Sequence, residues 1–174
     1  MKNEQKLTIR NPHLSDAELL IDFAKIIFAS TNQVLTTIEE FTNTIEQQEN
    51  WIKSCTDNPH AIIFIAEIDN QIIGLLDFAA KKRKKTRHTG EFGVSVHPNY
   101  RGQGIGRKLV ESLIKWAKNN LIIEKITLNV FSSNTNAIHL YKSVGFIEES
   151  RQIKAIKQDD NEYVDLIGMY LFLK

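Results

Sequence analysis

The chain lacks several features that would direct it to a particular compartment or partner. Among its 174 residues is a single cysteine, Cys55, so an internal disulfide is excluded and a reducing compartment is favoured. The longest apolar runs, near Ala61–Ala66 and Leu166–Leu173, fall far short of the ~20 residues that a membrane helix requires. Met1–Lys6 has no apolar stretch, so we expect no signal peptide and a cytoplasmic protein.

Neither the net charge nor the spacing of possible metal ligands indicates a particular partner or metal. Lys and Arg number 22 against 21 Asp and Glu, and the net charge of +1 gives no general attraction for nucleic acid or membranes. A hydrophobic content of 42%, with no linker-like stretch, predicts one globular domain over residues 1–174. We expect no metal site, because the five histidines show no ligand spacing with one another or with Cys55: His13, His60, His88, His97 and His139.

Glycine is scarce, but three of the eight glycines lie within five residues. Gly102, Gly104 and Gly106 follow a β-type run that ends at Pro98, and they precede an amphipathic segment. Glycines at a strand-to-helix junction let backbone N–H groups converge, and the start of the helix adds free N–H groups and the positive end of its dipole. The segment therefore predicts a binding loop for a di- or polyphosphate.

The glycine spacing distinguishes among three kinds of phosphate loop. A P-loop needs G-x-x-x-x-G-K-[ST], and no glycine pair in the chain has that spacing. A dinucleotide loop needs G-x-G-x-x-G, but Arg107 occupies the third glycine position. Glu124 lies where a ribose-binding acid would be sought, yet it opens a predicted strand instead of closing one. The pattern that fits is R-x-x-G-x-G, which Arg101–Gly106 match.

A second motif lies downstream, where Asn134–Phe146 have the form N-x-x-A-x-x-L-Y-x-x-x-G-F. The two motifs, in this order and separated by a predicted helix and strand, resemble the GNAT N-acetyltransferase superfamily, in which R-x-x-G-x-G is the pyrophosphate loop for coenzyme A. The chain is most similar to small single-domain members of the bacterial type. The resemblance implies an α/β (α+β) fold with a mixed, mostly antiparallel sheet flanked by helices.

Hydrophobic periodicity predicts the element order β-α-α-β-β-β-α-β-α-β-β, which is also the order of the GNAT fold. Capping-box patterns at Ser15–Glu18 and Thr37–Glu40 predict the starts of the first two helices, the second reaching about Ser54. The apolar face predicted for the first helix is Leu19, Leu20, Phe23, Ile26 and Ile27. The other predicted elements are strands over Lys6–Arg10, Ala61–Ile68, Gln71–Ala79, Thr89–Val96 and Lys125–Val130, helices after Gly106 and over Asn134–Val144, and a terminal hairpin of Phe146–Lys157 with Glu162–Leu173.

The resemblance implies acetyl-CoA as co-substrate and assigns residues to it. The glycine loop would hold the pyrophosphate mainly through backbone N–H groups, and the end of the preceding strand would splay from its neighbour and pair with the pantetheine amides. Asn134 would contact the pantetheine arm, and an equally good and compatible interpretation makes it a helix N-cap. The implied cofactor-binding residues are Val94, Ser95, Val96, Arg101, Gly102, Gln103, Gly104, Ile105, Gly106, Arg107, Asn134 and Tyr141.

Acetyl transfer to an amine needs one group that protonates the leaving thiolate and another that removes a proton from the amine. The resemblance assigns the first role to Tyr141, since a phenol of pKa ~10 can donate to a thiolate of pKa ~8.5; core packing is the alternative. Glu91 is the candidate base, and a solvent-facing carboxylate is its alternative. Asn129 stands where some members carry a glutamate and cannot act as a base, which argues against the peptide-terminus acetylation that those members perform. His88 and Asp77 are weaker candidates for the base.

The sequence leaves the amine acceptor open. Its binding wall would come from Phe28–Glu40 and the terminal hairpin, and Thr31–Thr37 lacks the acidic cluster that a polyamine would require. Amino acids, small amines, antibiotics and protein N-termini all remain possible acceptors. The rivals of direct transfer to a primary amine are a CoA-binding or sensing module with a degenerate acceptor site and, disfavoured by the glycine spacing, a Rossmann-type nucleotide-binding protein.

Two further features carry weaker predictions. Lys81–Lys85 form a basic run that we interpret as a solvated hairpin tip, and no interleaved aromatic residues support single-strand nucleic-acid binding. A homodimer is implied by the family resemblance alone.

Overall fold

The computed structural model of the protein describes residues 6–174, so the prediction for Met1–Lys6 lies almost wholly outside the described residues. Seven strands and four α-helices follow one another along the chain. The strands are β1 Thr8–Arg10, β2 Ala61–Ile68, β3 Gln71–Ala80, β4 Thr89–Val96, β5 Lys125–Phe131, β6 Ile147–Asp159 and β7 Glu162–Phe172. The helices are α1 Ala17–Ser30, α2 Ile45–Thr56, α3 Ile105–Asn119 and α4 Thr135–Ser143, with single 3-10 turns at Leu14–Asp16 and Pro98–Tyr100.

The strands of the described chain form one sheet in the order β1-β2-β3-β4-β5-β7-β6. Neighbouring strands are antiparallel except β4 and β5, which run parallel. The predicted mixed, mostly antiparallel sheet with flanking helices is confirmed. A Rossmann fold is excluded, because its sheet is mostly parallel and here one pair of neighbours in six is.

The predicted β2–β3 hairpin is confirmed, and its turn has the geometry that the sequence suggests. Asp69 and Asn70 have φ of 51° and 62°, the left-handed values that a two-residue type I′ turn requires at both central positions. Asn and Asp tolerate this region better than other residues with side chains, because their short polar groups bond locally. The turn therefore sets the register of the two strands that lead to β4.

The first helix begins later than predicted and turns a different face to the core. Ser15 lies in the 3-10 turn, and the side chain of Asp16 accepts from the backbone N–H of His13 at 2.7 Å and pairs with Arg10. This turn occupies the predicted capping box, so the α-helix starts at Ala17. The predicted apolar face is wrong in two positions: Leu19 and Ile26 are exposed, and the buried residues are Ala17, Leu20, Ile21, Phe23 and Ile27.

The second helix also begins later than predicted. The Thr37 N–H donates to Glu40 Oε2 at 2.9 Å, but this closes a single turn that does not continue as a helix. The helix begins after Thr44, whose hydroxyl accepts from the Gln47 N–H while the Gln47 side chain accepts from the Thr44 N–H. The sequence contains two capping-box patterns seven residues apart, and the downstream one starts the helix.

The sheet separates two apolar layers, and the apolar side chains of β4 pack into the larger one. Phe92, Val94 and Val96 pack on the side of α3 and α4, where the larger core lies. Side chains alternate along a strand, so Glu91, Gly93 and Ser95 lie on the opposite face. On that face α1 and α2 pack over β3 and β2, and Glu91 and Gly93 are exposed. Chemistry on β4 can therefore take place on both sides of the sheet.

Candidate functional site

The parallel strands β4 and β5 separate after a short stretch of pairing. Only Thr89–Glu91 and Lys125–Thr127 are in register with each other, although β4 continues to Val96 and β5 to Phe131. The backbone of β4 that faces β5 beyond Glu91 thus has no strand partner among the described residues. This is the splay that the family resemblance implied, and it leaves N–H and C=O groups available to an extended ligand that carries amides.

A cavity of about 710 Å³ follows the splay and continues over the glycine loop. Its wall combines the end of β4, the loop, the start of α3, one face of α4 and the end of α1 with the segment that follows it. Ten of the twelve predicted cofactor residues line it: Val94, Ser95, Val96, Arg101, Gly102, Gly104, Ile105, Gly106, Arg107 and Asn134. Gln103 and Tyr141 are outside the wall, and the Gln103 amide donates to the Asn99 carbonyl at 3.2 Å instead.

The glycine loop presents backbone N–H groups to this cavity. Gly102 and Gly104 have φ of 76° and 80°, a left-handed conformation that residues with a Cβ rarely adopt. Gly104 is the N-cap of α3, and no side chain of the described residues caps the helix. The first N–H groups of a helix have no partner within it. The loop and helix together therefore form an anion-binding surface of backbone donors and a helix dipole.

Charged side chains at the cavity wall are positive. Arg101 and Arg107 line it, and within residues 6–174 no acidic side chain does. Arg101 donates from Nε to the Val96 carbonyl at 3.1 Å and from Nη2 to Ser30 Oγ at 3.2 Å, so it links the end of β4 to the end of α1. Arg107 Nη2 donates to Ser143 Oγ at 2.6 Å. A pyrophosphate suits this wall, because the arginines match its negative charge and the N–H groups can donate to its oxygens.

One face of α4 forms a wall of the cavity within the second motif, of which only Asn134 and Tyr141 had been assigned individually to the cofactor. Asn136, His139, Leu140 and Ser143 line the cavity, and their spacing of three, four and seven residues is that of one helix face. Leu140 also packs against the larger core. α3 can approach this face closely at Gly106, where an added Cβ would lie 3.4 Å from Leu140 Cδ2.

The end of α1 and the following segment supply another part of the wall that we had not assigned to the cofactor. Ile27, Thr31, Gln33 and Val34 line the cavity opposite α4. No local pattern marks these residues, because their position depends on how α1 packs on the sheet.

The position of Asn134 is compatible with both predicted roles, the helix N-cap and the contact with the pantetheine arm. Its side-chain oxygen accepts from the Ala137 N–H at 3.2 Å as the N-cap of α4, and the residue also lines the cavity. The capping bond uses the oxygen, so the amide nitrogen is the part that can face a ligand. A pantetheine contact at Asn134 stays a prediction.

Tyr141 is a buried residue of the larger core. Its ring packs edge-on against Phe92, with 5.8 Å between ring centroids and 85° between ring planes. Phe92 is two residues before Val94 on the same face of β4, so the ring lies next to the start of the splay. Burial raises the pKa of Tyr141 to about 12, and the phenol therefore keeps its proton at neutral pH. The geometry is compatible with both packing and proton donation.

Glu91 lies on the opposite face of β4, at the last position where β4 and β5 pair. The Asn129 amide on β5 donates to Glu91 Oε1 at 3.0 Å. Asn129 itself is no base, but it holds the carboxylate across the opening between the two strands. Asp77, on β3, is on the same face, and burial together with the Glu91 charge raises the pKa of Asp77 to about 6.

A second cavity, of about 410 Å³, lies on the Glu91 side of the sheet. Its wall comes from the α1–α2 connection and the β6–β7 hairpin, which are the segments expected to bind the acceptor. Reciprocal bonds join them: Asn32 Nδ2 donates to Gln158 Oε1, and Gln158 Nε2 donates to the Asn32 carbonyl. Thr31 and Val34 line both cavities, so the two spaces adjoin.

Glu91 and Asp77 line neither cavity, and the remaining sequence candidates also lie outside both. Lys81–Lys85 are exposed in the β3–β4 connection, at the end of β4 away from the glycine loop. His88 lies just before β4, and its backbone carbonyl accepts from the N–H groups of Glu124 and Lys125. Across residues 6–174, no three His, Cys, Asp or Glu side chains are grouped as metal ligands would be. No helix in the described part of the chain is long and apolar enough to cross a membrane.

Comparison with known proteins adds independent evidence. The acetyltransferase (GNAT) family matches residues 28–146. The L-amino acid N-acetyltransferase AaaT of Escherichia coli is 28% identical over 147 residues, which cover 82% of this chain and 90% of the relative. A GNAT-family acetyltransferase of Streptococcus pneumoniae has a TM-score of 0.93 at 26% identity, over 96% of this chain and 99% of its own. A putative acetyltransferase of Salmonella typhimurium, solved with its cofactor acetyl-CoA, has a TM-score of 0.85 at 22% identity, over 97% of this chain and 95% of its own. The family match includes both the glycine loop and the second motif.

Proposed function

The chain belongs to the acetyltransferase (GNAT) family, whose enzymes use acetyl-CoA as co-substrate, and we propose that it transfers the acetyl group directly to the primary amine of a small molecule. An amino acid is the acceptor class that we favour. The observation that carries the proposal is the splay of β4 from β5, which has a cofactor cavity along it, a carboxylate on one face and a phenol on the other.

The backbone and basic side chains of the larger cavity support binding of acetyl-CoA. The glycine loop and the start of α3 would hold the pyrophosphate through N–H groups, and Arg101 and Arg107 would neutralise it. The unpaired edge of β4 at Val94–Val96 would pair with the pantetheine amides. A backbone N–H there would polarise the thioester carbonyl, as in oxyanion-type sites.

Direct transfer is supported by the positions of the two proton-handling groups. Glu91 lies on the face of the sheet that carries the second cavity, from which an amine would approach. Tyr141 lies on the other face, among the residues that pack against the cofactor side of β4. The base would take a proton from the attacking nitrogen, while the phenol would protonate the departing thiolate. A covalent enzyme intermediate is not needed for this sequence.

The second cavity favours an acceptor that carries one positive and one negative group. Its charged wall residues are one acid, Glu39, and one base, Lys157. A polyamine would need several carboxylates, whereas an amino acid presents one ammonium and one carboxylate. The similarity to an L-amino acid N-acetyltransferase supports the same class.

Release of free CoA thiol, measured with acetyl-CoA and a panel of amines, tests the proposal. The panel contains L-amino acids, a polyamine and a short peptide with a free N-terminus. We expect one or more amino acids to stimulate release, and Glu91→Gln to slow it by roughly 10²-fold because a general base is removed. Glu18→Gln, which changes an exposed glutamate at the start of α1, is the matched control and should leave the rate unchanged.

A CoA-binding or sensing module is the rival function, and the same assay separates the two. If acetyl-CoA binds but no amine stimulates thiol release, the transfer reaction is contradicted and the rival is favoured. If acetyl-CoA does not bind, both functions are contradicted. Stimulation by the polyamine alone would retain the enzyme and reject the amino-acid acceptor.

We further propose that residues 1–174 act as one acetyltransferase domain, that the protein works in the cytoplasm, and that it is a homodimer. The single Cys55 and the apolar runs too short for a membrane helix support the compartment. The family resemblance supports the dimer. Sedimentation equilibrium of the whole chain tests the oligomeric state, and a mass near the 20.0 kDa of one chain would contradict the dimer.

A further inference from the structure

A row of polar side chains crosses three strands at the point where β4 and β5 separate. Asp77 on β3 is in register with Gly93 on β4, and Glu91 is two residues before Gly93 on the same face. The row ends on β5 with Asn129, whose amide donates to Glu91 at 3.0 Å. The strands β3, β4 and β5 thus each contribute one polar side chain to a continuous line.

The missing side chain at Gly93 allows the Asp77 carboxylate to lie over β4. A Cβ built on Gly93 would be 3.4 Å from Asp77 Oδ1. A larger residue at this position would occupy the space between the two carboxylates. The glycine therefore places Asp77 beside Glu91 instead of separating them.

The surroundings of Asp77 do not supply an opposite charge. Ile63 on β2 is its other cross-strand neighbour, and Cys55 approaches from α2 closely enough that the Asp77 charge adds to the effect of burial in raising the pKa of the Cys55 thiol. Glu91 is the charged group that faces Asp77 from β4, and no cation of the described residues offsets the pair. Burial, and after it the Glu91 charge, raise the pKa of Asp77, so Asp77 holds a proton more tightly than an ordinary aspartate.

We propose that Asp77 is a positioning residue for the transfer reaction, which acts through Glu91 by sharing with it the proton that the acceptor amine gives up. This inference rests on the proposed function and adds a second carboxylate to it. Asn129 keeps Glu91 at the opening between the strands, and Asp77 lies behind it, away from the opening. The pair stores the proton while the free amine attacks the thioester.

The proton balance is simple. An N–H bond of the acceptor ammonium breaks, its electron pair stays on nitrogen, and an O–H bond forms on Glu91. The proton then moves within the pair to Asp77, which leaves Glu91 ionised at the opening. After attack the nitrogen gives its second proton to the ionised Glu91, and the departing thiolate receives a proton from the Tyr141 phenol. Before the next cycle the carboxylate pair releases its two protons to water and the Tyr141 phenolate takes one back, so one proton is released per turnover.

The raised pKa of Asp77, about 6, supports this role, because a proton held there is released near neutral pH. A carboxylate with an ordinary pKa of ~3.9 would hold the proton only weakly.

The first test is a titration that does not depend on catalysis. Protein labelled with ¹³C at the aspartate carboxyl groups is followed by NMR from pH 3 to 8, and the resonance missing from Asp77→Asn identifies Asp77. We expect a midpoint near pH 6 that falls in Glu91→Gln, because the neighbouring negative charge is then absent. A midpoint near the ordinary aspartate value, or one that does not move in Glu91→Gln, would overturn the proposal even if the enzyme is fully active.

The second test compares kcat/KM against pH for the wild type, Asp77→Asn and Asp69→Asn. Asp69→Asn is the matched control, because Asn suits the left-handed turn position and the residue lies in the β2–β3 turn, outside the row. We expect Asp77→Asn to lower kcat/KM about tenfold at pH 7 and to move the acid limb of its profile by half a pH unit or more. A uniform loss at every pH would indicate a structural role and overturn the proposal. Absence of any turnover in the wild type would contradict the proposed function, and the titration would still decide the carboxylate pair.

Discussion

Two residues that lie on opposite sides of β4, Tyr141 of α4 and Asp77 of β3, have surroundings that act on charge in the same direction. Tyr141 lies in an apolar core against Phe92 and Phe146, and Asp77 lies under α2 next to another carboxylate. Both environments favour the protonated form, since neither group has a cation beside it within the described chain. In the proposed mechanism, Tyr141 would therefore donate a proton on the cofactor side, and Asp77 with Glu91 would hold one on the acceptor side.

Tyr141→Phe separates the chemical role of the hydroxyl from the packing of the ring. The phenyl ring keeps the edge-on contact with Phe92, so we expect stability and the Kd for acetyl-CoA to change little. The turnover number should fall by roughly 10²-fold, because the leaving thiolate loses its proton donor. Thiol-release kinetics and calorimetric titration with acetyl-CoA measure the two quantities. Unchanged kcat would show that Tyr141 is a packing residue.

Asp77 should also affect the dependence of stability on pH. Its pKa is raised to about 6 in the folded chain, so the folded state binds the proton more tightly than the unfolded state, and stability falls as pH rises from about 4 to about 6. A shift of this size corresponds to at most about 3 kcal/mol. Urea unfolding from pH 4 to 8 should therefore show Asp77→Asn gaining stability relative to the wild type as pH rises through this window.

The quantity to compare is the difference in unfolding free energy between Asp77→Asn and the wild type, because other carboxylates stabilise the fold more as pH rises. The Arg10 ion pair lowers the pKa of Asp16, whose contribution to stability is lost as pH falls. This contribution is common to both proteins and cancels. A stability difference that is constant with pH would contradict the raised pKa of Asp77.

At the level of elements, the strand–loop–helix unit of β4 and α3 was predicted from the sequence because its determinants are local. The bounds of β4 match the prediction, and α3 buries Leu109, Val110, Leu113 and Ala117 at the helical spacing of its amphipathic segment. The cap of α1 lies one residue after the predicted Ser15, and the cap of α2 lies seven residues after the predicted Thr37, at a second capping pattern. At α1 a tertiary contact contributes, because Arg10 of β1 bonds to Asp16 in the turn before the helix.

Gly104→Ala tests whether the loop conformation is required for cofactor binding. A Cβ at this position would meet no atom within 4 Å, so the change adds only the strain of a left-handed φ. That strain costs roughly 1–2 kcal/mol for a residue with a side chain. If it is relieved by rearrangement of the loop, the backbone donors are displaced, and we expect about tenfold weaker acetyl-CoA binding.

Gln103→Ala is the control for the loop variant. Gln103 is in the same loop but does not line the cavity, and its side chain bonds to the Asn99 carbonyl. Calorimetric titration should give a Kd for Gln103→Ala within about threefold of the wild type. Equal losses in the two variants would indicate that general loosening of the loop, and not the glycine conformation, controls affinity.

At the scale of the whole molecule, β4 holds two positively charged regions apart. The glycine loop follows its last residue, and the basic connection 81–87 precedes its first. Eight strand residues span roughly 25 Å, which is about three Debye lengths at physiological ionic strength. The basic connection should therefore have little electrostatic effect on the cofactor site.

Neutralising the basic connection tests this separation. We expect Lys82→Ala combined with Lys84→Ala to change kcat/KM for acetyl-CoA by less than about twofold at physiological ionic strength, because screening removes most of the interaction. The measurement is repeated at low salt, where a small decrease is expected. A large loss at physiological ionic strength would contradict the interpretation of Lys81–Lys85 as a solvated hairpin tip.

The sequence by itself determined the cofactor half of this protein. The phosphate loop, the helix that follows it and the second motif are each built from residues close together in the chain. Their spacing therefore encodes their geometry directly. The structure specified which side chains of the second motif line the cavity, and these repeat at helical spacing along α4.

Only the tertiary structure decided the proposed acceptor half. Asp77, Glu91 and Asn129 come from three different strands, and whether they meet depends on sheet register, on the alternation of side chains and on the absence of a side chain at Gly93. The second cavity joins the α1–α2 connection to a hairpin more than one hundred residues later. Contacts across a sheet and between distant segments leave no periodic trace in the chain. A single sequence therefore predicts where the cofactor binds and leaves the choice of acceptor to the fold.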